Sequence, residues 1–151
     1  MADLRPILLV EDNPRDLELT LAALAKCQLA NEIVVARDGA EALDYLYARG
    51  AHENRVPGDP AVVLLDLKLP KVDGLEVLEK VKSDPMQRQI PVVMLTSSRE
   101  ERDLLRSYEL GVNAFVVKPV DFNAFFEAIQ DLGMFWAILN EPPPGARSNG
   151  L

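Results

Sequence analysis

The chain has 151 residues, 48% of them apolar and 26% charged, which suits one globular domain with a sizeable core. Its net charge of -8 argues against non-specific nucleic-acid binding, which needs a basic footprint, and is compatible with a carboxylate-rich cation site. No stretch reaches the roughly 18 uninterrupted apolar residues of a membrane span, and the apolar run in MADLRPILLV is too short for a secretory signal, so a cytoplasmic protein is expected.

The first apolar run, Ile7–Val10, reads as a strand. Asn13-Pro14 then offers an N-cap with proline at the first helical position, and Leu17, Leu21 and Leu24 fall on one helix face. Lone Cys27 has no internal disulfide partner and no neighbouring metal ligands. Ile33–Ala36 is a second strand, ending in Arg37-Asp38, and Ala42, Leu43 and Leu46 form the next helical stripe. Gly50–Pro60 is polar and rich in Gly and Pro, hence a surface loop. It holds His52, the sole histidine, which reads neither as a phosphotransfer nor as a metal residue.

Val62–Leu65 is a third strand. Leu75, Leu78 and Val81 make a helical stripe stopped by Asp84-Pro85. After the strand Val92–Leu95, Ser98 and Glu101 have capping-box spacing ahead of Leu104, Leu105 and Tyr108. Phe115–Val117 is the fifth strand, and Phe122, Phe125, Phe126 and Ile129 mark a fifth helix after Asp121. The runs are rich in Val, Ile and Leu and hardly alternate, as strands buried on both faces do. Strand followed by helix, five times, implies a parallel sheet with helices on both faces. The tail from Pro142 to Leu151 is expected to be disordered. One domain, residues 1–141, therefore precedes the tail at 142–151.

Parallel sheets bind ligands at the carboxyl ends of their strands. Glu11 and Asp12 follow the first strand, Asp66 the third, Thr96, Ser97 and Ser98 the fourth, and Lys118 the fifth. Singly, each has an ordinary explanation: a cap, a solvated turn, a surface lysine. Jointly, they bring three carboxylates, a hydroxyl and an ammonium to one edge. Clustered carboxylates repel unless a cation joins them, and a few hard oxygen ligands with room for water favour Mg²⁺. A carboxylate so held can attack an activated phosphorus and form an aspartyl-phosphate. Lys118 can neutralise the transferred charge, and Thr96 can hydrogen-bond a phosphoryl oxygen.

The stretches ILLVEDNP, VVLLDLKLPKVDGLEVL, PVVMLTSS and NAFVVKP, in this order, resemble the receiver domain of two-component response regulators over roughly Pro6 to Leu139. The resemblance implies a flavodoxin-like (βα)5 doubly wound sheet of strand order 2-1-3-4-5. It implies that Asp66 accepts a phosphoryl group from a sensor histidine kinase. Asp12, Asp66 and the backbone carbonyl of Lys68 would hold Mg²⁺, with Glu11 acting mostly through water. Thr96 and Lys118 match the switch hydroxyl and the phosphate-contacting lysine, Phe115 the aromatic rotamer switch, and Lys118-Pro119 a cis peptide. On phosphorylation Thr96 would move toward the phosphate, Phe115 would fill the space, and the helix over about Arg99–Leu110 would shift. Lys68 and Ser98 occupy positions that tune phosphate lifetime in the family.

Within the family, the long loop before the third strand, the phrase SYELGVNAFVVKP and the end DLGMFWAILNEPPP resemble the stand-alone type associated with phytochromes. No helix-turn-helix follows, so no DNA partner is expected. Residues Leu132 to Leu139, with Phe135, Trp136, Ile138 and Leu139 among them, are apolar almost all round. Such an extended arm is either buried in its own domain or packed on a second copy, and a homodimer is the expectation. Three other readings stand beside this one. A hydrolase of the haloacid dehalogenase kind wants a second Asp where Lys68 stands. A nucleotide-binding module wants a glycine-rich or Walker-type loop, and none is present. A receiver that serves as a scaffold without phosphorylation does not require Asp12, Asp66, Thr96 and Lys118 together.

Overall fold

The structure is a computed structural model. It describes residues 5–26, 31–56, 58–96, 106–118 and 120–131, apart from the side chains of Phe122 and of residues 128–131. Cys27, Ser97, Ser98, Leu104, Leu105, Pro119, the arm with Phe135, Trp136, Ile138 and Leu139, and the tail lie outside the described residues.

Five strands, β1 (Ile7–Val10), β2 (Ile33–Ala36), β3 (Val62–Asp66), β4 (Val92–Thr96) and β5 (Ala114–Val117), form one sheet of order β2-β1-β3-β4-β5. All four pairings are parallel, as the unalternating apolar runs require. The helices are α1 (Pro14–Lys26), α2 (Gly39–Leu46), α3 (Gly74–Ser83), a turn at 106–109 (α4) and α5 (Phe122–Asp131). The central strands are buried on both faces. Ile7, Leu9, Leu64, Val93 and Leu95 pack with Leu17 and Leu24 of α1 and Phe125 of α5. Leu8, Val10, Val63, Leu65 and Met94 pack with Leu43 and Leu46 of α2 and Val77, Leu78 and Val81 of α3.

Strands β3 and β4 run one residue beyond their last apolar residue. Asp66 and Thr96 are therefore the last rungs of the ladder rather than the first residues of the loops. Asn13 caps α1 as expected, and Asp38 and Asp121 cap α2 and α5 in the same way; the expected capping box of Ser98 and Glu101 lies outside the described residues. Asn13 Oδ1 accepts from the backbone N–H of Arg15 and Asp16, at 2.9 and 3.0 Å. Asp38 Oδ1 accepts from Glu41 at 2.7 Å, and Asp121 Oδ1 from Ala124 at 2.8 Å. Tyr108, grouped in the sequence with Leu104 and Leu105, is 61% exposed. It lies edge-on to Phe115, with centroids 5.1 Å apart.

The long connection at 50–60 is not slack. It opens with a short 3-10 turn, Gly50–His52. Arg55 then gathers it: Nε donates to the carbonyl of Tyr45 at 2.6 Å, and Nη1 to those of Val56 and Gly58 at 2.8 and 3.0 Å. The guanidinium also stacks 4.3 Å from the Tyr45 ring centroid, a cation–π contact favoured by arginine's flat, delocalised charge.

Ala48, just past the end of α2, has φ +52°, the left-handed conformation that glycine adopts freely. Ala48→Gly should therefore stabilise the fold, by about 0.5–1 kcal/mol once glycine's looser unfolded state is counted. A urea melt reads this as a higher midpoint with unchanged slope; a lower midpoint would show that the Ala48 side chain contributes packing that outweighs the strain.

Candidate functional site

The parallel topology puts the C-terminal ends of β1, β3, β4 and β5 on one edge, and a cavity of about 200 Å³ opens there. Its walls are Asp12, Asn13, Asp16, Asp66, Leu67, Lys68, Thr96 and Lys118. Glu11 lies beneath them, fully buried. Asp66 is buried and Asp12 is exposed. Carboxylate oxygens of Glu11, Asp12 and Asp66 lie within 4.8 Å of one another, the group among the described residues that could hold a metal ion.

Lys118 stands where β5 runs out, held by its backbone N–H to the carbonyl of Thr96 at 2.9 Å. Its Nζ reaches Glu11 Oε1 at 2.7 Å, Asp16 Oδ2 at 3.0 Å and Asp66 Oδ2 at 3.1 Å. Burial alone would lower the lysine's pKa, but the hydrogen bonds to Glu11 and Asp16 and the nearby charges raise it above the ordinary value. Lys118 is thus a fixed positive charge. Burial, then the contact with Asp66, raises the Glu11 carboxyl to about 7, against the downward pull of Lys118. One ammonium does not fully offset this many carboxylates.

The donor set consists of hard oxygens, crowded and partly desolvated. It therefore fits a small divalent cation, whose charge would favour the ionised form of each carboxyl. The exposed side of Asp12 leaves room for water on such an ion. Lys68 lines the same cavity, with its backbone N–H 3.4 Å from Asp66 Oδ1. Thr96 is buried at the wall, in register with Val117 on β5. Phe115 lies two residues back along β5, beside Met94, half-buried among the residues of the α2–α3 face. It is not in the cavity. The expected Lys118-Pro119 peptide lies outside the described residues.

Reading the sequence missed three of the walls: Leu67, next to Asp66, and Asn13 and Asp16 at the start of α1. The α1 stripe held the signal: residues 13, 16, 17, 20 and 24 share a face, so extending Leu17 and Leu24 back by one turn arrives over the end of β1. His52 and Arg37-Asp38 stand away from the cavity. His52 Nε2 lies 3.1 Å from Glu41 Oε2, and Asp38 is occupied by the start of α2 and by Lys71 at 3.4 Å.

Residues 7–130 match the model of the response regulator receiver domain family. The response regulator Rcp1 of Synechocystis sp. is 41% identical over 130 residues, 86% of this chain and 87% of the relative. The solved structure of the bacteriophytochrome response regulator AtBRR is 80% identical, with a TM-score of 0.84 over 92% of this chain and 99% of that one. The structure of phosphorylated RcpA, a cyanobacterial phytochrome response regulator, is 42% identical, with a TM-score of 0.74 over 88% of this chain and 94% of that one.

Proposed function

Because the chain belongs to the response regulator receiver domain family, we propose that it works as a phosphoryl-accepting switch with Asp66 as the acceptor. The observation that carries this reading is the cavity itself. A buried strand-end aspartate faces a fixed ammonium at 3.1 Å and shares its edge with two further carboxylates. In the reaction, an Asp66 carboxylate oxygen bonds to the phosphorus of the donor while the donor's own bond to phosphorus breaks. Lys118 neutralises the charge on the transferred group, and the Thr96 hydroxyl donates to one of its oxygens. Asp12, Asp66 and the Lys68 carbonyl would hold Mg²⁺, with Glu11 behind them, and the ion would supply further charge neutralisation when bound.

The added charge then biases two packings of one fold. Thr96 moves to the phosphoryl group, and Phe115 turns into the space it leaves. The likeness to Rcp1, AtBRR and RcpA supports a sensor histidine kinase of the phytochrome type as the donor. A cytoplasmic location follows from that partner. No helix among the described residues is long and apolar enough to cross a membrane. A homodimer through Leu132 to Leu139 completes the reading, on the strength of that segment's apolar sequence. A monomer mass in gel filtration at micromolar concentration would count against it.

Incubation with acetyl phosphate and Mg²⁺, followed by intact mass spectrometry, tests the chemistry. The expected result is a gain of one phosphoryl group that disappears when the metal is chelated. Failure to label from acetyl phosphate and from a competent histidine kinase alike would favour the scaffold reading.

A further inference from the structure

Helix α1 supplies a carboxylate that the chemistry above leaves unused. Asp16 lies in the first turn of α1, on the face that Leu17 and Leu24 turn to the core. Its Oδ2 accepts a hydrogen bond from Lys118 Nζ at 3.0 Å, across 102 residues of chain. An ammonium has three N–H groups, and three carboxylate oxygens surround this one, from Glu11, Asp16 and Asp66 at 2.7, 3.0 and 3.1 Å.

The three come from different elements: the end of β1, the start of α1 and the end of β3. A lysine side chain is a flexible four-carbon stem with a freely turning head. Two acceptors leave that head free to swing about the line joining them; a third removes the freedom. When Asp66 carries a phosphoryl group, the side of the ammonium that lies 3.1 Å from Asp66 Oδ2 is the one that meets the incoming oxygens. Glu11 and Asp16 are then the two supports that keep the nitrogen in place.

We propose that Asp16 is a positioning residue for phosphoryl transfer: it holds the Lys118 ammonium over the phosphoacceptor. This rests on the reading of Asp66 as phosphoacceptor. In this role Asp16 acts through Lys118 and not on the donor. Its loss therefore slows the transfer step and leaves the donor's apparent affinity alone. A purely structural role, as an acidic residue favouring the start of α1, makes the opposite forecast: a lower melting temperature with an unchanged rate.

The experiment compares Asp16→Ala, Asp16→Asn and, as a control on the exposed face of α1, Glu18→Ala. Labelling by acetyl phosphate with Mg²⁺ is followed by intact mass over a range of donor concentrations. In Asp16→Ala the maximal rate should fall about tenfold, the scale of a charged group slightly misplaced, with the half-saturating concentration unchanged. Asp16→Asn keeps an acceptor oxygen and should recover most of the rate, and Glu18→Ala should match the wild type. An Asp16→Ala rate equal to wild type overturns the proposal, as does a loss of rate that appears only as weaker donor affinity.

A second arm needs no phosphoryl transfer. In magnesium-free protein, the Lys118 side-chain ammonium should give a protected nitrogen-15 signal in NMR that broadens away in Asp16→Ala. Its absence from the wild type, or its persistence in the variant, overturns the tie. If the wild type takes no label from acetyl phosphate or from a competent histidine kinase, the phosphoacceptor reading falls, and this signal still decides whether Asp16 holds Lys118.

Discussion

Asp66→Asn should take no phosphoryl group under conditions that label the wild type fully, and should remain folded. The two halves of that expectation have separate causes. An amide oxygen is a poor nucleophile toward phosphorus, so the bond-forming step is lost outright. The fold, by contrast, loses one of the three carboxylates around Lys118 and at the same time sheds the repulsion between Asp66 and Glu11. These effects oppose each other, and the net change in stability should stay within about 1 kcal/mol. Intact mass and a thermal melt on the same preparation check both halves. Label on the mutant would move the acceptor to another carboxylate of the edge, Asp12 being the accessible one. A mutant that is unlabelled because it is unfolded would leave the assignment to a second variant, Asp66→Glu.

Gly74→Ala should be the most damaging small substitution at the site's edge. Gly74 opens α3, and its backbone N–H donates to the carbonyl of Leu67 at 3.1 Å. A methyl group there would be driven into the carbonyls of Asp66 and Leu67. Neither is the movable end of a side chain; both are backbone at the end of β3. Either α3 backs away from the sheet, loosening Val77 and Leu78, which are wholly buried, or the end of β3 shifts and carries the phosphoacceptor with it. The expected cost is about 3 kcal/mol, at the upper end of overpacking effects, with a matching loss of labelling. Denaturant melts and the acetyl phosphate reaction measure the two. A variant that melts like the wild type and labels at full rate would show that the helix can tilt at little cost.

The sheet was the most legible part of the sequence. A strand buried on both faces has to be apolar throughout, so Ile7–Val10 could be delimited to the residue, and the half-buried edge strand Ile33–Ala36 was delimited equally well by its apolar run. Where polarity resumes, the rule fails in a predictable way: Asp66 and Thr96 still make ladder contacts because hydrogen bonding follows the backbone, not the side chain. The convergence of Glu11, Asp12, Asp66, Thr96 and Lys118 was readable because topology alone places strand ends together. Asp16 was not, because an acidic residue in a first helical turn is usually accounted for by the helix dipole. Only its rotation about α1, set by packing, aims it at Lys118. The loop at 50–60 could be read as a loop from Gly and Pro, but nothing in its composition singled out Arg55 as the residue that binds it together. Tyr108 sat at helical spacing from Leu104 and Leu105, yet spacing cannot tell an inward aromatic from one lying along the rim.

The tie between Lys118 and the start of α1 also bears on how the chain comes into being. Synthesis runs from the N-terminus, and the early parts of a domain emerge first. Glu11, Asp12, Asp16 and Asp66 all leave the ribosome well before Lys118. While β1 and β3 can already pair, the edge they form gathers carboxylates before the lysine that lies against Glu11, Asp16 and Asp66 has been made. Over that interval a cation from solution, or a proton on the buried Glu11, can relieve the repulsion, and the last strand then brings the lysine that replaces it.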